Sequence, residues 1–297
     1  MILPLLSAKG NWTLCWGSSL IYQADMTRIA ILQTTTGIDP RANASALTAA
    51  VQEAAQGGAS MLFTPEMSGL LDRDRGRAGQ HIVPETENPV LAAVCEAAER
   101  AGIWVALGSL AVERPDGRWA NRSLLVASDG AIVARYDKIH MFDVELATGE
   151  TWRESAAYAP GEQVVTANTP VGKLGLTVCY DVRFPALFEQ LGRQRCDAIA
   201  IPAAFTVPTG MAHWHLLQRA RAVEASAYVI AAAQVGHHQD GRSTYGHSLV
   251  VDPWGEVVLD MGGQQPGLGF AEINPLRISD VRAQLPSLAN RRAISSS

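Results

Sequence analysis

Short apolar runs recur along this chain, and most stop abruptly at a polar residue or a turn signal. Residues 28–33, 61–64, 103–110, 174–178, 198–201, 228–233, 249–251, 257–259 and 269–273 read as strands. Between them lie segments with helical spacing. Residues 42–56 are alanine-rich, place Leu47, Val51, Ala54 and Ala55 on one face, and are stopped by Gly57-Gly58. Residues 88–101 end at Gly102, and 186–191, 213–227 and 275–285 complete the predicted helices. Segments 123–127 and 131–136 flank Asp129-Gly130, a strong hairpin signal. Residues 137–164 lack a clear period and read as a long loop of the kind that carries function.

Strands alternate with helices in both halves, with hairpins mixed in, which predicts layered α/β packing on a mixed sheet. The strands are apolar on both sides, so both faces of a sheet must be covered. No linker rich in Gly, Ser or Pro interrupts residues 27–292, so residues 26–297 are expected to form one domain. The segment 1–25 has no positive region at its start, and its apolar stretch is broken by Lys9, Gly10 and Asn11. It is a poor signal peptide and too interrupted to span a membrane, so we expect an extension outside the fold.

Composition narrows the partners. The chain is 47% hydrophobic and 18% charged, enough apolar content for a substantial core, and its net charge is −5. No basic run marks a nucleic-acid partner. Cys15, Cys95, Cys179 and Cys196 show no CxxC spacing, which argues against a zinc knuckle and a disulfide framework. Free thiols fit a reducing cytoplasm.

The most informative stretch runs from Lys173 to Pro185. An apolar strand ends at Cys179, and Tyr-Asp-Val-Arg and Pro185 follow, which suits a turn into a helix. A thiol at such a turn is well placed as a nucleophile, because backbone N–H groups there can stabilise an oxyanion. Alone, a cysteine is more often a small buried apolar residue. Two more strand ends add weight: Met-Leu-Phe-Thr-Pro (61–65) leads to Glu66, and 133–137 leads to Lys138. A carboxylate, a lysine and a thiol supply a base, an oxyanion partner and a nucleophile.

These residues, with Tyr-Asp-Lys-Ile-His (136–140), Val-Cys-Tyr-Asp-Val-Arg-Phe-Pro (178–185), His213-Trp214, Gln-Arg-Ala-Arg-Ala-Val-Glu (218–224), Tyr-Gly-His-Ser (245–248) and Val-Asp-Pro-Trp-Gly (251–255), resemble the nitrilase, or carbon–nitrogen hydrolase, superfamily. The similarity runs from about Thr27 to Arg292. It implies a four-layer α-β-β-α sandwich that pairs into an eight-layer homodimer, acting on a small-molecule amide without metal or cofactor. It implies that Glu66, Lys138 and Cys179 are catalytic and that Glu154, a second carboxylate, holds Lys138 charged. Tyr180 is expected to lend its N–H to the oxyanion. Arg183 is expected to hold a substrate carboxylate, with Phe205 and Thr209 in the same pocket. Residues 229–239 leading into 243–248 resemble the deaminated glutathione amidase branch; the alternatives are an omega-amidase acting on α-ketoglutaramate or another small-amide hydrolase of the superfamily, and the intact Glu66, Lys138 and Cys179 set argues against a non-catalytic scaffold on the same fold. Thr64, Met141 and Glu162 depart mildly from the family pattern.

Several residues carry a second reading. Arg183 could instead pair with Asp181, and Arg221 with Glu224 at i,i+3 spacing. His140 is expected to orient its loop. His213, His215, His237, His238 and His247 tempt a metal reading, but positions 213 and 215 face different directions on a helix and no carboxylate set accompanies them in sequence. The basic tract at Arg73, Arg75 and Arg77 is ordinarily a solvated surface; it could also recognise a distal anionic group. The absence of G-x-G-x-x-G after a strand and of a P-loop argues against nucleotide chemistry.

Overall fold

Along strand β1 (Thr27–Gln33) neighbouring side chains enter two different cores. Ile29 and Ile31 face one, and Ala30 and Leu32 the other. In β2 (Met61–Phe63), Met61 and Phe63 join the first pair while Leu62 joins the second. A strand's period of two thus fills both sides of a doubly covered sheet. The computed structural model describes residues 26–147 and 149–294, so the expectation for residues 1–25 lies outside the described residues.

The remaining strands of this sheet are β3 (Trp104–Glu113), β4 (Trp119–Val126) and β5 (Ile132–Asp137). A hairpin of β6 (Asp143–Glu145) and β7 (Thr151–Arg153) follows. The second half contributes β8 (Val165–Thr169), β9 (Gly172–Leu176), β10 (Ala198–Ala200) and β11 (Tyr228–Ala231). A hairpin of β12 (Val235–His237) and β13 (Ser243–Tyr245) precedes β14 (Leu249–Val251), β15 (Val257–Asp260) and β16 (Gly267–Ile273). The two large sheets run β16-β1-β2-β3-β4-β5 and β15-β14-β11-β10-β9-β8. The last strand therefore closes the first sheet, pairing antiparallel with β1 along its whole length.

Helices α1 (Pro40–Gln56) and α3 (Pro89–Ala101) cover the outer face of the first sheet, with Leu47, Val51, Val90 and Val94 packed on Leu62, Val105 and Leu124. The short α2 (Arg75–Gly79) lies between them in sequence. Helices α4 (Pro185–Arg193), α5 (Val207–Ala225) and α6 (Pro275–Gln284) belong to the second half. Their Leu187, Phe188, Trp214, Ala222 and Ile278 join a core that also includes the facing residues of both sheets. The α-β-β-α sandwich expected from the sequence is the observed architecture. Each fully buried Leu or Ile in these layers contributes about 1.5–3 kcal/mol.

The structure differs from the sequence expectation where polar residues build regular structure. Residues 137–164 contain the β6–β7 hairpin as well as loop. Strand β8 (Val-Thr-Ala-Asn-Thr) is a half-exposed edge with no apolar run. Helix α5 begins six residues before the expected 213, with Pro208 and Gly210 in its first turn. Proline lacks an N–H that the first turn leaves unused anyway. Gly210 is required by packing: a Cβ there would lie 2.2 Å from the Tyr245 ring.

Candidate active site

The parallel core of each sheet aims its carboxyl ends at one place. β1, β2 and β3 pair in parallel, as do β9, β10 and β11. Just past these ends stand Glu66 after β2, Cys179 after β9, Ala204 after β10 and Gln234 after β11. An α/β fold places ligands at such ends. Gly108 on β3 lets the turn to Glu66 come close, since a Cβ there would meet the Thr64 carbonyl oxygen at 2.0 Å. The Gln234 amide ties the halves together: it donates to the Glu66 carbonyl at 2.9 Å and accepts from the Thr36 N–H at 3.0 Å.

Lys138 is the hub of a buried charge cluster. Its Nζ donates to Glu66 Oε1 at 3.0 Å and to Glu154 Oε2 and Oε1 at 2.8 and 3.1 Å. The Lys138 side chain is 2% exposed, that of Glu66 7% and that of Glu154 12%, so water screens these charges weakly. Asn121 on β4, which the sequence reading passed over, donates to both carboxylates at 2.9 and 3.0 Å. The Ala204 N–H reaches Glu66 Oε2 at 2.9 Å, and the Phe142 N–H reaches Glu154 Oε2 at 2.7 Å. The second carboxylate expected at Glu154 therefore does adjoin Lys138.

The Cys179 thiol adjoins Glu66. Burial first, then the Glu66 charge, push this thiol well above its ordinary value, against the opposing pull of Lys138. Burial would also raise Glu66, yet the Lys138 charge and the hydrogen bonds it receives hold it below the usual carboxylate value. Burial would discharge Lys138, but Glu154 and Glu66 keep it protonated far up the scale. The resting cluster thus sets a neutral thiol beside two carboxylates, Glu66 and Glu154, that share one ammonium.

Cys179 opens a turn of 3-10 helix, Cys179–Arg183, and has a left-handed φ of 50°. A non-glycine residue in that region stores strain that its surroundings must hold. Holding it are the Cys179 N–H bonded to the Pro202 carbonyl at 2.8 Å and the carboxylate of Asp181. Asp181 is fully buried and accepts from the Val178 N–H (2.9 Å), the Tyr136 hydroxyl (2.6 Å) and the His140 N–H (3.0 Å). His140 Nδ1 lies 2.7 Å from it, and the His140 ring stacks on Phe184 at 3.6 Å. Asp181 thus fastens the cysteine turn to the loop carrying Lys138. The Asp181–Arg183 ion pair, the second reading of Arg183, does not form. The Arg221–Glu224 pair does, at 2.6 Å, and Arg221 also donates to the Val182 carbonyl at 2.8 Å.

Glu66, Lys138, Glu154 and Cys179 open on a cavity of about 160 Å³. Tyr180, Arg183, Phe205 and Thr209 also line it, so the structure brings together every site residue expected from the sequence. Arg183 stands over the Tyr180 and Phe205 rings, 5.8 and 5.3 Å from their centroids, and beside His213 Nδ1 at 3.2 Å. Among the described residues the Tyr180 N–H has no backbone acceptor. The basic tract divides. Arg73 and Arg75 line the cavity, whereas Arg77 is turned to Asp72 at 2.6 Å and does not. Trp152 and Arg242 also line it, and neither stood out in the sequence.

The histidines need one correction. Asp260, distant in sequence, does accompany two of them: His215 Nε2 lies 2.8 Å from its Oδ2 and His247 Nδ1 2.9 Å from its Oδ1. Their potential ligand atoms lie within 4.8 Å of one another. None of this trio lines the cavity beside Cys179.

The family model for carbon-nitrogen hydrolases matches residues 28–283. The chain belongs to the carbon-nitrogen hydrolase family. It is accordingly a hydrolase of amide carbon–nitrogen bonds. This hydrolase is 40% identical over 275 residues to a protein named deaminated glutathione amidase from Yersinia enterocolitica, covering 90% of this chain and 94% of that one. It is 37% identical to the protein of the same name from Homo sapiens, covering 90% and 83%. Among solved structures, the Caenorhabditis elegans NitFhit protein superposes with a TM-score of 0.82 at 35% identity. That match covers 90% of the hydrolase and 65% of the longer NitFhit chain. Among the described residues no helix is long and apolar enough to cross a membrane.

Proposed function

We propose that this hydrolase cleaves the amide of deaminated glutathione through an acyl-thioester on Cys179. The observation that carries the mechanism is the single Glu66 carboxylate shared by Cys179 and Lys138. Net charge decides the first step. A thiolate formed ahead of attack would add a second uncompensated negative charge to a buried cluster that already holds two carboxylates and one ammonium. The proton therefore leaves for Glu66 as Sγ bonds the amide carbon. Lys138 Nζ and the Tyr180 N–H receive the developing oxyanion. Glu66 then protonates the amide nitrogen, the C–N bond breaks and the amine departs. Glu66 next takes a proton from water, whose oxygen attacks the thioester, and returns it to the sulfur as the acid is released. Glu154 keeps Lys138 charged throughout.

Arg183 suits the α-keto carboxylate of the acyl part, since a guanidinium can hold it at two points and place the distal amide over the thiol. Phe205 and Thr209 shape the same end. The test is kcat/KM for deaminated glutathione against α-ketoglutaramate. Preference for the smaller amide would make the protein an omega-amidase. Arg183→Lys is expected to raise KM on both, because a point charge cannot copy the fork; an unchanged KM would remove Arg183 from the reading.

The pH profile has a definite sign. Glu66 acts in its ionised form and its pKa is lowered, so kcat/KM falls only as pH drops through a value below 4.5. The thiol acts protonated and its pKa lies above 9.0, so neutral and mildly alkaline pH gives a plateau. An acid limb near pH 6 in a kcat/KM titration would overturn this assignment.

Residues 26–297 are proposed to act as one domain in the cytoplasm, a reading that the free Cys95, Cys179 and Cys196 support. We further propose a homodimer. Supporting it is an exposed apolar set on α5 and the β14–β15 turn, with Met211 72%, Leu216 66% and Trp254 47% accessible. Sedimentation at monomer mass would sink it.

A further inference from the structure

The cavity carries cationic groups at two ends of one aromatic wall. Arg183 stands 5.8 Å from the Tyr180 ring; Tyr180 meets Phe142 edge-on at 5.1 Å; Phe142 meets Trp152 at 6.3 Å. Over the Trp152 ring stand two guanidiniums, Arg242 at 4.8 Å and Arg73 at 5.4 Å. Both line the cavity. Their placement is built rather than incidental. Asp240, whose side chain is fully buried, accepts from Arg242 Nε at 2.7 Å and, through the same oxygen, from the Arg73 N–H at 2.9 Å. One carboxylate thus holds the Arg242 guanidinium and the Arg73 backbone, while neutralising only Arg242. Among the described residues Arg73 has no carboxylate partner. The Trp152 indole N–H, buried beneath them, has no hydrogen-bond partner either. A buried donor left unpaired is destabilising, and two cations over one ring repel until an anion arrives.

Resting on the reading that Arg183 takes the α-keto carboxylate, we propose that Arg73, Arg242 and Trp152 form a second anion subsite for the terminal carboxylate of the departing amine. The ligand class is an acidic peptide amine rather than ammonia. The subsite grips the half of the substrate that leaves, so its energy orients the scissile amide over Cys179 before the bond breaks. It also explains the placement of basic residues in a loop that the catalytic cluster does not use.

The test compares deaminated glutathione with its analogue in which the glycine carboxylate is replaced by a carboxamide, using full-length enzyme. Wild type should prefer the free acid by roughly 10- to 100-fold in kcat/KM, the range for losing a charge-assisted pair. In Arg73→Gln/Arg242→Gln that preference should collapse to near one. The wild-type comparison needs no substitution, so it decides the matter even if the double variant fails to fold. Equal turnover of acid and carboxamide by wild type, or a preference that survives the double substitution, overturns the subsite while leaving the amidase reading intact. Failure of wild type to cleave deaminated glutathione at all overturns that reading, and the subsite falls with it.

Discussion

Cys179→Ala is expected to abolish amide turnover while leaving the fold in place. The thiol is small, sits at a turn and is 7% exposed, so its removal costs little packing. What it removes is the atom proposed to form the acyl intermediate. Glu66→Gln should be nearly as inactive: the amide keeps the size and one acceptor oxygen but cannot take the thiol proton, and it leaves Lys138 short of a charge. Lys138→Ala strips the oxyanion partner, a loss worth about 10²–10³ in rate by itself. It also leaves Glu66 and Glu154 facing each other unpaired, so a fall in stability should accompany it, about 3–5 kcal/mol for a buried pair broken on one side. Ammonia or amine release, read beside thermal unfolding, separates the two effects. Normal turnover by purified Cys179→Ala would sink the acyl-thioester mechanism.

The largest effect outside the reacting atoms is expected at Asp181. Its carboxylate accepts from the Val178 N–H and the Tyr136 hydroxyl, both in the interior, and from the half-buried His140 N–H. Asp181→Ala leaves those donors without an acceptor, at about 1–3 kcal/mol for each group that water cannot reach. It also releases the turn that holds Cys179 at its left-handed φ. Unfolding should move to clearly lower denaturant, and kcat should fall even at temperatures where the protein stays folded. Asp181→Asn keeps an acceptor and should recover part of the stability. Wild-type stability and rate in Asp181→Ala would show that the turn is held by other means, such as the Cys179 N–H to Pro202 bond.

Asp181 also shows where sequence reasoning stops. It and Arg183 are two residues apart with opposite charges, and pairing them was a reasonable expectation. In the fold the turn of 3-10 helix sends Asp181 inward to donors from β5 and the following loop, and leaves Arg183 over aromatic rings in the cavity. Asn121, Gln234 and Arg242 were missed for a similar reason. Each is an unremarkable polar residue on or beside a strand, and its role exists only because a partner far away in sequence arrives beside it. Asp260 joins His215 and His247 in the same way.

The sequence by itself determined the strands and helices with a clear apolar period and the layered α/β class, and it singled out the residues proposed to react. Those features are local. Alternation, glycine stops and a polar residue ending an apolar run are set by nearest neighbours along the chain, and the order of several motifs carried the family. Only the tertiary structure decided which charges are shared and which are free. It made Glu66 an acceptor for Lys138 and Cys179 together, kept Arg77 on Asp72, and set Arg73 and Arg242 over one indole. The physical reason is that pairing and pKa depend on distance and burial. Both are fixed by sheets whose neighbouring strands lie far apart in the chain, such as β1 beside β16.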